Sequence, residues 1–313
     1  MSTHAAMPDE RNAAVEVWIN GSFVPRSEAR ISVFDSGFLV GDGVWDGLRL
    51  HRGRFAFLER HLDRLFANAA TISLDIGMTR SDVAALLYGV VEHNGMTGGV
   101  HVRLMVTRGD KKTPSQHPAN LVGGPNVVVI AEHKSPDPAV AARGLRLHTA
   151  TIRRPGPDVL DQRLNCHSKL HEVIALIQAT DAGADEALML DVNGHVATCN
   201  STNFFIVHGG ELWTSTGLYC LNGITRGVLV EEARAAGIAA LEHNFVLEDV
   251  YRADEAFVTG TFGGLTPAVV VDGRTIGTGR IPGEMTRRLQ AMYADAVERS
   301  VTTPPVESPP FRS

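Results

Sequence analysis

The stretch VEVWINGSFVP, residues 15–25, commits this chain to strands that meet their neighbours through tight turns. Apolar residues alternate on both sides of Asn20-Gly21, and an Asn-Gly pair readily takes the two left-handed positions of a two-residue hairpin. GGVHVRLMVTRG and NVVVIAEH follow later, β-rich runs of the kind that sit inside a sheet. Two helical patterns lie between. In RFAFLERHLDRLFANAATI, Phe57, Leu58, His61, Leu62, Leu65 and Phe66 recur at helical spacing. SDVAALLYGVVEHNG repeats the pattern, with Ser81 expected as N-cap and Gly95 closing it. Strands in pairs, without strict βαβ alternation, make the first hundred-odd residues mixed α+β.

At 313 residues the chain is longer than one core usually organises, so two domains sharing a cleft are expected. HKSPDPAVAARG, residues 133–144, reads as the linker, with two prolines, mixed charge and no periodicity. This gives a small α+β domain over 1–132, in which 1–13 are expected to be disordered, and a larger domain over 145–297. A flexible, proline-rich tail covers 298–313. Beyond the linker the reading is a strand (LRLHTATI), a polar loop (RRPGPDVLDQRLN) and a helix containing Lys169. Short strands follow (EALMLD, HVATCN, NFFIVHG, ELWTS), then a helix from about Ile224 to Ala236. The strand EAFVTG, a Gly-rich turn, a hairpin of AVVVDG with RTIG, and a last helix from Pro282 to Val297 complete it.

Composition removes several classes of function. A net charge of −6 leaves no basic footprint, so nucleic acid is not an expected partner. The three cysteines, Cys166, Cys199 and Cys220, are odd in number and lack a CxxC pair, which argues for a reducing compartment and against disulfides or structural zinc. The N-terminus has no basic and apolar signal pattern, and no apolar run approaches about 18 residues. A soluble cytoplasmic protein with no membrane partner is expected.

Three segments have the makings of chemistry. In LNGITRGVLVEEA, residues 221–233, Gly223 supplies a turn and the helix begins near Ile224–Thr225. Free N–H groups there, with the Thr225 hydroxyl, form an anion site. TGTFGG, residues 259–264, is a second turn of hydroxyls and glycines suited to wrapping a phosphate. Both also read as ordinary turns, and neither a Walker A lysine motif nor GxGxxG after a strand is present. LNCHSKLHEVIAL, residues 164–176, places Lys169 in the first turns of an amphipathic helix. Cys166 and His167 are adjacent and so diverge, and His171 has no partner at a clear ligand spacing, so no metal site is expected. RGDKKTPSQHP, with Lys112 and His117, reads as a solvated loop.

GDGVWDGLR, FLERHLDRLFANA, ADEALMLDVNGHVATCNSTNFFIV, LNGITR and ADEAFVTGTFGGLTPAVVVDGRTIG, in this order, resemble the class IV aminotransferases. These are the fold-type IV pyridoxal phosphate enzymes: branched-chain aminotransferase, D-amino acid aminotransferase and aminodeoxychorismate lyase. The resemblance runs from about Val15 to Tyr293. It implies a small α+β domain plus a larger pseudo-barrel domain, a homodimer, and a pyridoxal 5'-phosphate site between the domains. By the same resemblance Arg64 grips the cofactor phosphate, Ile224 and Thr225 supply the helix N-terminus, and Thr261 the second phosphate turn. Trp45 would line the substrate side, and Arg49 would face a substrate carboxylate or a strand partner.

Two positions depart from the family. Relatives hold the pyridine nitrogen with a glutamate where this chain has Thr198. Counting from flanking motifs brings the family lysine to Asn165 or its neighbour, and Lys169 lies four residues on, on nearly the same helical face as Val173 and Leu176. Lys169 is then the catalytic amine, supplied from a shifted position, or a surface or salt-bridged lysine paired with Glu172 or Asp185, or else some other amine serves or the cofactor binds without a lysine linkage. The implied activity is transfer of an amino group between a small amino acid or amine and a 2-oxo acid. A lyase or isomerase on the same cofactor, a cofactor-free hydrolase and a non-catalytic relative remain as alternatives.

Overall fold

The computed structural model describes residues 6–302, which divide into two compact units. The smaller holds Pro8–Ser135 and Leu164–Ser168, with residues 299–302. After a 3-10 turn at Glu10–Ala14, its strands are β1 (Glu16–Ile19), β2 (Ser22–Pro25), β3 (Gly43–His51), β4 (Arg54–Phe55), β5 (Val100–Thr107), β6 (Asp110–Lys111), β7 (Leu121–Val122) and β8 (Asn126–His133). Its helices are α1 (Ser36–Val40), α2 (Leu58–Thr71) and α3 (Arg80–His93). The main sheet runs β2-β1-β8-β5-β3-β4, antiparallel at every pairing. The hairpin turns at Asn20 (φ 47°) and Gly21 (φ 96°), both left-handed as the Asn-Gly pair requires.

Alternation assigns the two faces of that sheet. Leu48 and Leu50 of β3, Val102 and Leu104 of β5 and Val129 of β8 are buried with Leu62 and Leu65 of α2 and Leu86 and Leu87 of α3. The intervening residues, Trp45, Arg49, His101, Arg103, Val128, Ile130 and Glu132, are only half-buried. Helix α3 is capped by Thr79 and not by the expected Ser81. The Thr79 hydroxyl accepts from Asp82 N while the Asp82 carboxylate accepts from Thr79 N, and this reciprocal pair fixes the start earlier than the apolar pattern suggests.

The larger unit holds residues 6–7, Pro136–Arg163 and Lys169–Glu298 among the described residues. It contains α4 (Pro138–Arg143), β9 (Leu145–Thr149), α5 (Pro157–Leu160), α6 (Leu170–Asp181), β10 (Glu186–Leu190), β11 (Val196–Cys199), β12 (Asn203–His208) and β13 (Glu211–Thr214). Then come α7 (Ile224–Ala235), β14 (Ala240–Glu242), α8 (Leu247–Tyr251), β15 (Glu255–Gly260), β16 (Gly264–Val271), β17 (Arg274–Thr275) and α9 (Glu284–Thr302). Nine strands form one mixed sheet, β11-β10-β9-β16-β15-β12-β13-β14 with β17 on β16. The β10·β9, β9·β16 and β13·β14 pairs are parallel. Phe204 and Ile206 of β12 anchor one apolar cluster, and Phe205 and Phe257, stacked at 5.1 Å, anchor another with Leu229 of α7.

The boundaries differ from the sequence expectation in four places. The stretch read as a linker contains α4, capped by Asp137 with Pro138 in its first turn, and the units divide between Ser135 and Pro136. Residues 10–14, partly within the stretch expected to be disordered, form a 3-10 turn with Asp9 accepting from Arg11 N. Helix α9 continues through Thr302, and the rest of the expected tail lies outside the described residues. Residues 164–168 belong with the small unit, because they pair with β3.

Helix α6 is inverted. Ala175 and Ala179 face Ala187 and Met189 of β10, whereas Leu170, Val173, Ile174 and Ile177 are exposed. Small residues let the helix lie close on the sheet, and its apolar stripe points outward. The shared buried face expected for Lys169, Val173 and Leu176 is therefore absent. Lys169 is the N-cap, outside the helix, and Val173 is 50% exposed.

Candidate active site

In the small unit Asp46 organises the predicted site. Alternation along β3 turns it inward, where it is 1% exposed, and α2 brings two partners to it. His61 Nδ1 lies 2.7 Å from Asp46 Oδ1, and Arg64 donates from Nε (3.1 Å) and Nη2 (2.9 Å). Burial alone would raise the carboxyl, yet the charges of Arg64 and His61 and their hydrogen bonds hold it at about 2. Arg64, the predicted phosphate ligand, is thus a guanidinium oriented by a carboxylate.

The linked stability has a defined sign. A carboxyl lower in the folded than the unfolded chain stabilises fully above its unfolded value near 4 and loses that contribution as pH falls toward 2. Asp46→Asn is expected to cost about 2 kcal/mol at pH 7 and to flatten the acid limb between about pH 4 and 2, read by denaturant unfolding across pH. An unchanged acid limb refutes it.

Trp45 and Arg49 share the half-buried face of β3. The Trp45 indole donates to Cys166 O at 3.1 Å, and the Arg103 guanidinium lies 4.0 Å above its ring. Burial lowers the pKa of Arg103 and also that of Lys134. A cavity of about 470 Å³ opens here, lined among others by His101, Arg103, Glu132 and Lys134. Arg103 is a cation of this face that the sequence did not single out; its only signal is its place in a β run between His101 and Met105, on the face that carries Trp45. Arg49 donates to Lys134 O at 2.5 Å, just beyond the end of β8.

Asn165, at the counted lysine position, is a framework residue. Trp45 N donates to Asn165 O (2.9 Å), Asn165 Nδ2 donates to Trp45 O (2.8 Å), and His167 N donates to Gly43 O. Residues 164–168 thereby act as an edge strand on β3. Burial lowers the pKa of His167, whose Nε2 meets Val44 O at 3.2 Å, and that of His171.

In the large unit Asn203, a residue the sequence did not single out, links predicted Thr198 to the segments that carry the other predicted residues. Asn203 Nδ2 donates to Leu221 O at 2.9 Å and approaches Thr198 Oγ1 at 3.4 Å. Thr198, 3% exposed, gives its own proton to Thr202 O at 2.8 Å. Asn203 pairs with Thr259, at the start of the TGTFGG turn, and the Thr259 hydroxyl is buried without a partner. At Gly223, the N-cap of α7, no side chain caps the helix, so the first N–H groups at Ile224 and Thr225 are left to an external acceptor. Thr225 Oγ1 lies 3.2 Å from Tyr293 Oη, and Thr261 is half-buried in its turn.

Gly223 makes room for a close neighbour, because a Cβ there would stand 2.3 Å from Asn203 Oδ1. Gly223→Ala must push that amide aside and shift the helix start. Its affinity for pyridoxal phosphate is expected to fall about tenfold, or ~1.4 kcal/mol, by fluorescence titration. Wild-type affinity refutes it.

Lys169 is the only lysine of the large unit, the other three being Lys111, Lys112 and Lys134. Its Nζ lies 3.3 Å from Glu172 Oε1, and its side chain is 29% exposed. Asp185, the other expected partner, instead pairs with Arg143. The three cysteines are free and buried, and among the described residues no cluster of metal-ligating side chains is found. No described helix is long and apolar enough to cross a membrane.

The large unit carries an uncapped helix N-terminus at α7, a hydroxyl-rich turn at 259–264 and one lysine on or beside a mixed sheet, and the small unit is an antiparallel α+β unit. Residues 43–271 match the family model of amino-transferase class IV, and the chain belongs to that family. It is 37% identical over 305 residues to branched-chain-amino-acid aminotransferase-like protein 1 of Arabidopsis thaliana, covering 97% of this chain and 55% of that one. The chain spans about half the length of the first such relatives it matches. A putative branched-chain-amino-acid aminotransferase of Methanocaldococcus jannaschii is 35% identical, with 90% of this chain and 96% of that protein covered. A D-alanine aminotransferase of Listeria monocytogenes is 31% identical, with 90% and 96% covered. The branched-chain amino acid aminotransferase of T.th., solved with pyridoxamine 5'-phosphate, superposes with a TM-score of 0.84 at 29% identity, over 92% of this chain and 95% of that one. Another structure of that protein carries N-(5'-phosphopyridoxyl)-L-glutamate, and pyridoxal phosphate is the cofactor of the family.

Proposed function

We propose that this chain is a pyridoxal phosphate-dependent aminotransferase that moves an amino group between a small amino acid or amine and a 2-oxo acid. One observation carries the reading: Asn203 ties the Thr198 hydroxyl to the open start of α7 and the 259–264 turn, in the unit whose only lysine is Lys169. The uncapped α7 start and the orphaned Thr259 hydroxyl suit a phosphorylated cofactor. Ile224, Thr225, Thr261 and Arg64 would hold the phosphate. When bound, pyridoxal phosphate supplies a carbonyl that condenses with amines and a ring that accepts electron density from a bond broken at the substrate carbon.

The chain's own residues orient and move protons. Lys169 takes the proton from the substrate α-carbon and returns it. Thr198 has spent its proton on Thr202 O, so toward a ring nitrogen it offers a lone pair and no charge. That hydroxyl restrains ring orientation without the carboxylate found in relatives. Arg103, stacked on Trp45, meets a substrate carboxylate, and Trp45 shapes the apolar side. We assign the working form as a homodimer, as the family implies. The cytoplasm suits three buried free thiols.

Borohydride trapping with added pyridoxal phosphate, followed by peptide mapping, tests the assignment. Label on Lys169, and a new amino acid formed from a donor and a 2-oxo acid, are the expected results. Label elsewhere, or ammonia without a new amino acid, overturns it, the latter in favour of a lyase.

A further inference from the structure

The charged groups around Lys169 form a network whose geometry is more ordered than an incidental surface pair. Arg154 is 3% exposed at its side chain; its Nε donates to Tyr219 O (3.1 Å) and its Nη1 to Glu172 Oε1 (2.8 Å). Its backbone N donates to Leu190 O at 2.8 Å, which fixes it to β10. The amine of Lys169 meets the same Oε1 at 3.3 Å. His171 Nε2 lies 2.9 Å from Gln162 Oε1 and 3.8 Å from Glu172 Oε1. The titratable and charged groups facing the amine are therefore Arg154, His171 and Glu172. Two cations share one carboxylate oxygen, while the other, Glu172 Oε2, is buried with no hydrogen-bond partner.

We propose that Glu172 is the positioning residue of Lys169, anchored by Arg154, with Oε1 holding the amine. The inference rests on the role proposed for Lys169, and it extends that role by naming what fixes the amine.

The small number of lysines makes this measurable on the full chain without cofactor. Reductive methylation with 13C-formaldehyde labels four side chains besides the terminus, and Lys169→Arg assigns the Lys169 signal. In the wild type the Lys169 methyls are expected to relax as an immobilised group, unlike those of exposed Lys112. In Glu172→Gln they are expected to become as mobile as those of Lys112, with Lys134 unchanged as the fold control. Glu172→Asp should lie between, and it is read alone if the glutamine variant does not hold its fold. Unchanged restraint of Lys169 in whichever variant folds overturns the proposal. With cofactor and substrates, Glu172→Gln is expected to lower kcat about tenfold with KM within about twofold, the mark of lost orientation. A change in KM alone overturns the positioning role. Lys169 untrapped by borohydride but immobilised by Glu172 supports the clamp and removes the catalytic reading; Lys169 trapped but mobile in the wild type removes the clamp alone.

Discussion

Lys169→Ala is expected to lower kcat for amino-group transfer by about 10²–10⁴, the range in which a positioned proton-transfer group contributes. No second lysine in the large unit can substitute, because the other three all lie in the small unit. Two of these are already ordered: Lys111 donates to Ser115 O at 2.7 Å, and Lys134 lies beside the Arg49 guanidinium that its carbonyl accepts from. Added methylamine should restore part of the lost rate to the alanine variant, since an amine that diffuses in can carry the same proton. Pyridoxal phosphate affinity should change far less than kcat, because the cradle residues are untouched. A variant retaining kcat within about tenfold of wild type would remove Lys169 from the mechanism, and with it the amine that the transfer reaction requires.

The largest stability effect is expected at Arg154. Arg154→Met should cost about 3–5 kcal/mol, because it leaves Glu172 buried with only Lys169 to balance it and strands the Tyr219 carbonyl. The pair need not be a net stabiliser. The cost arises from breaking it on one side, so Arg154→Met combined with Glu172→Gln should recover part of the loss, as coupled neighbours do. Urea unfolding of the two single variants and the double variant reads the coupling. Additive losses would show that Arg154 and Glu172 do not act as a unit, despite their 2.8 Å contact.

Particular residues explain which features could be read from sequence. Asn20-Gly21 encodes its turn locally, and so does the 57–66 periodicity of α2, because each depends on neighbours a few residues away. Lys169 was harder. Whether a lysine begins a helix or stands outside it depends on residues 164–168 pairing with β3, about 120 positions earlier, and that pairing runs largely through backbone atoms. The apolar period of α6 marks a face without saying which way it points; only the approach of Ala175 and Ala179 to β10 shows that it points outward. Arg103 and Asn203 carry no local signature. One matters through a ring on the neighbouring strand, the other through contacts with residues 198, 221 and 259.

Asn203 has a consequence for how this protein can change. One amide touches the threonine proposed to face the ring nitrogen and also buttresses the glycine from which the anion-holding helix departs. A substitution chosen to retune the electronic end is transmitted to the phosphate end through a single planar group. Introducing a carboxylate at 198 alone is therefore a two-ended perturbation, and any lineage adopting one has to adjust 203 and 223 in concert.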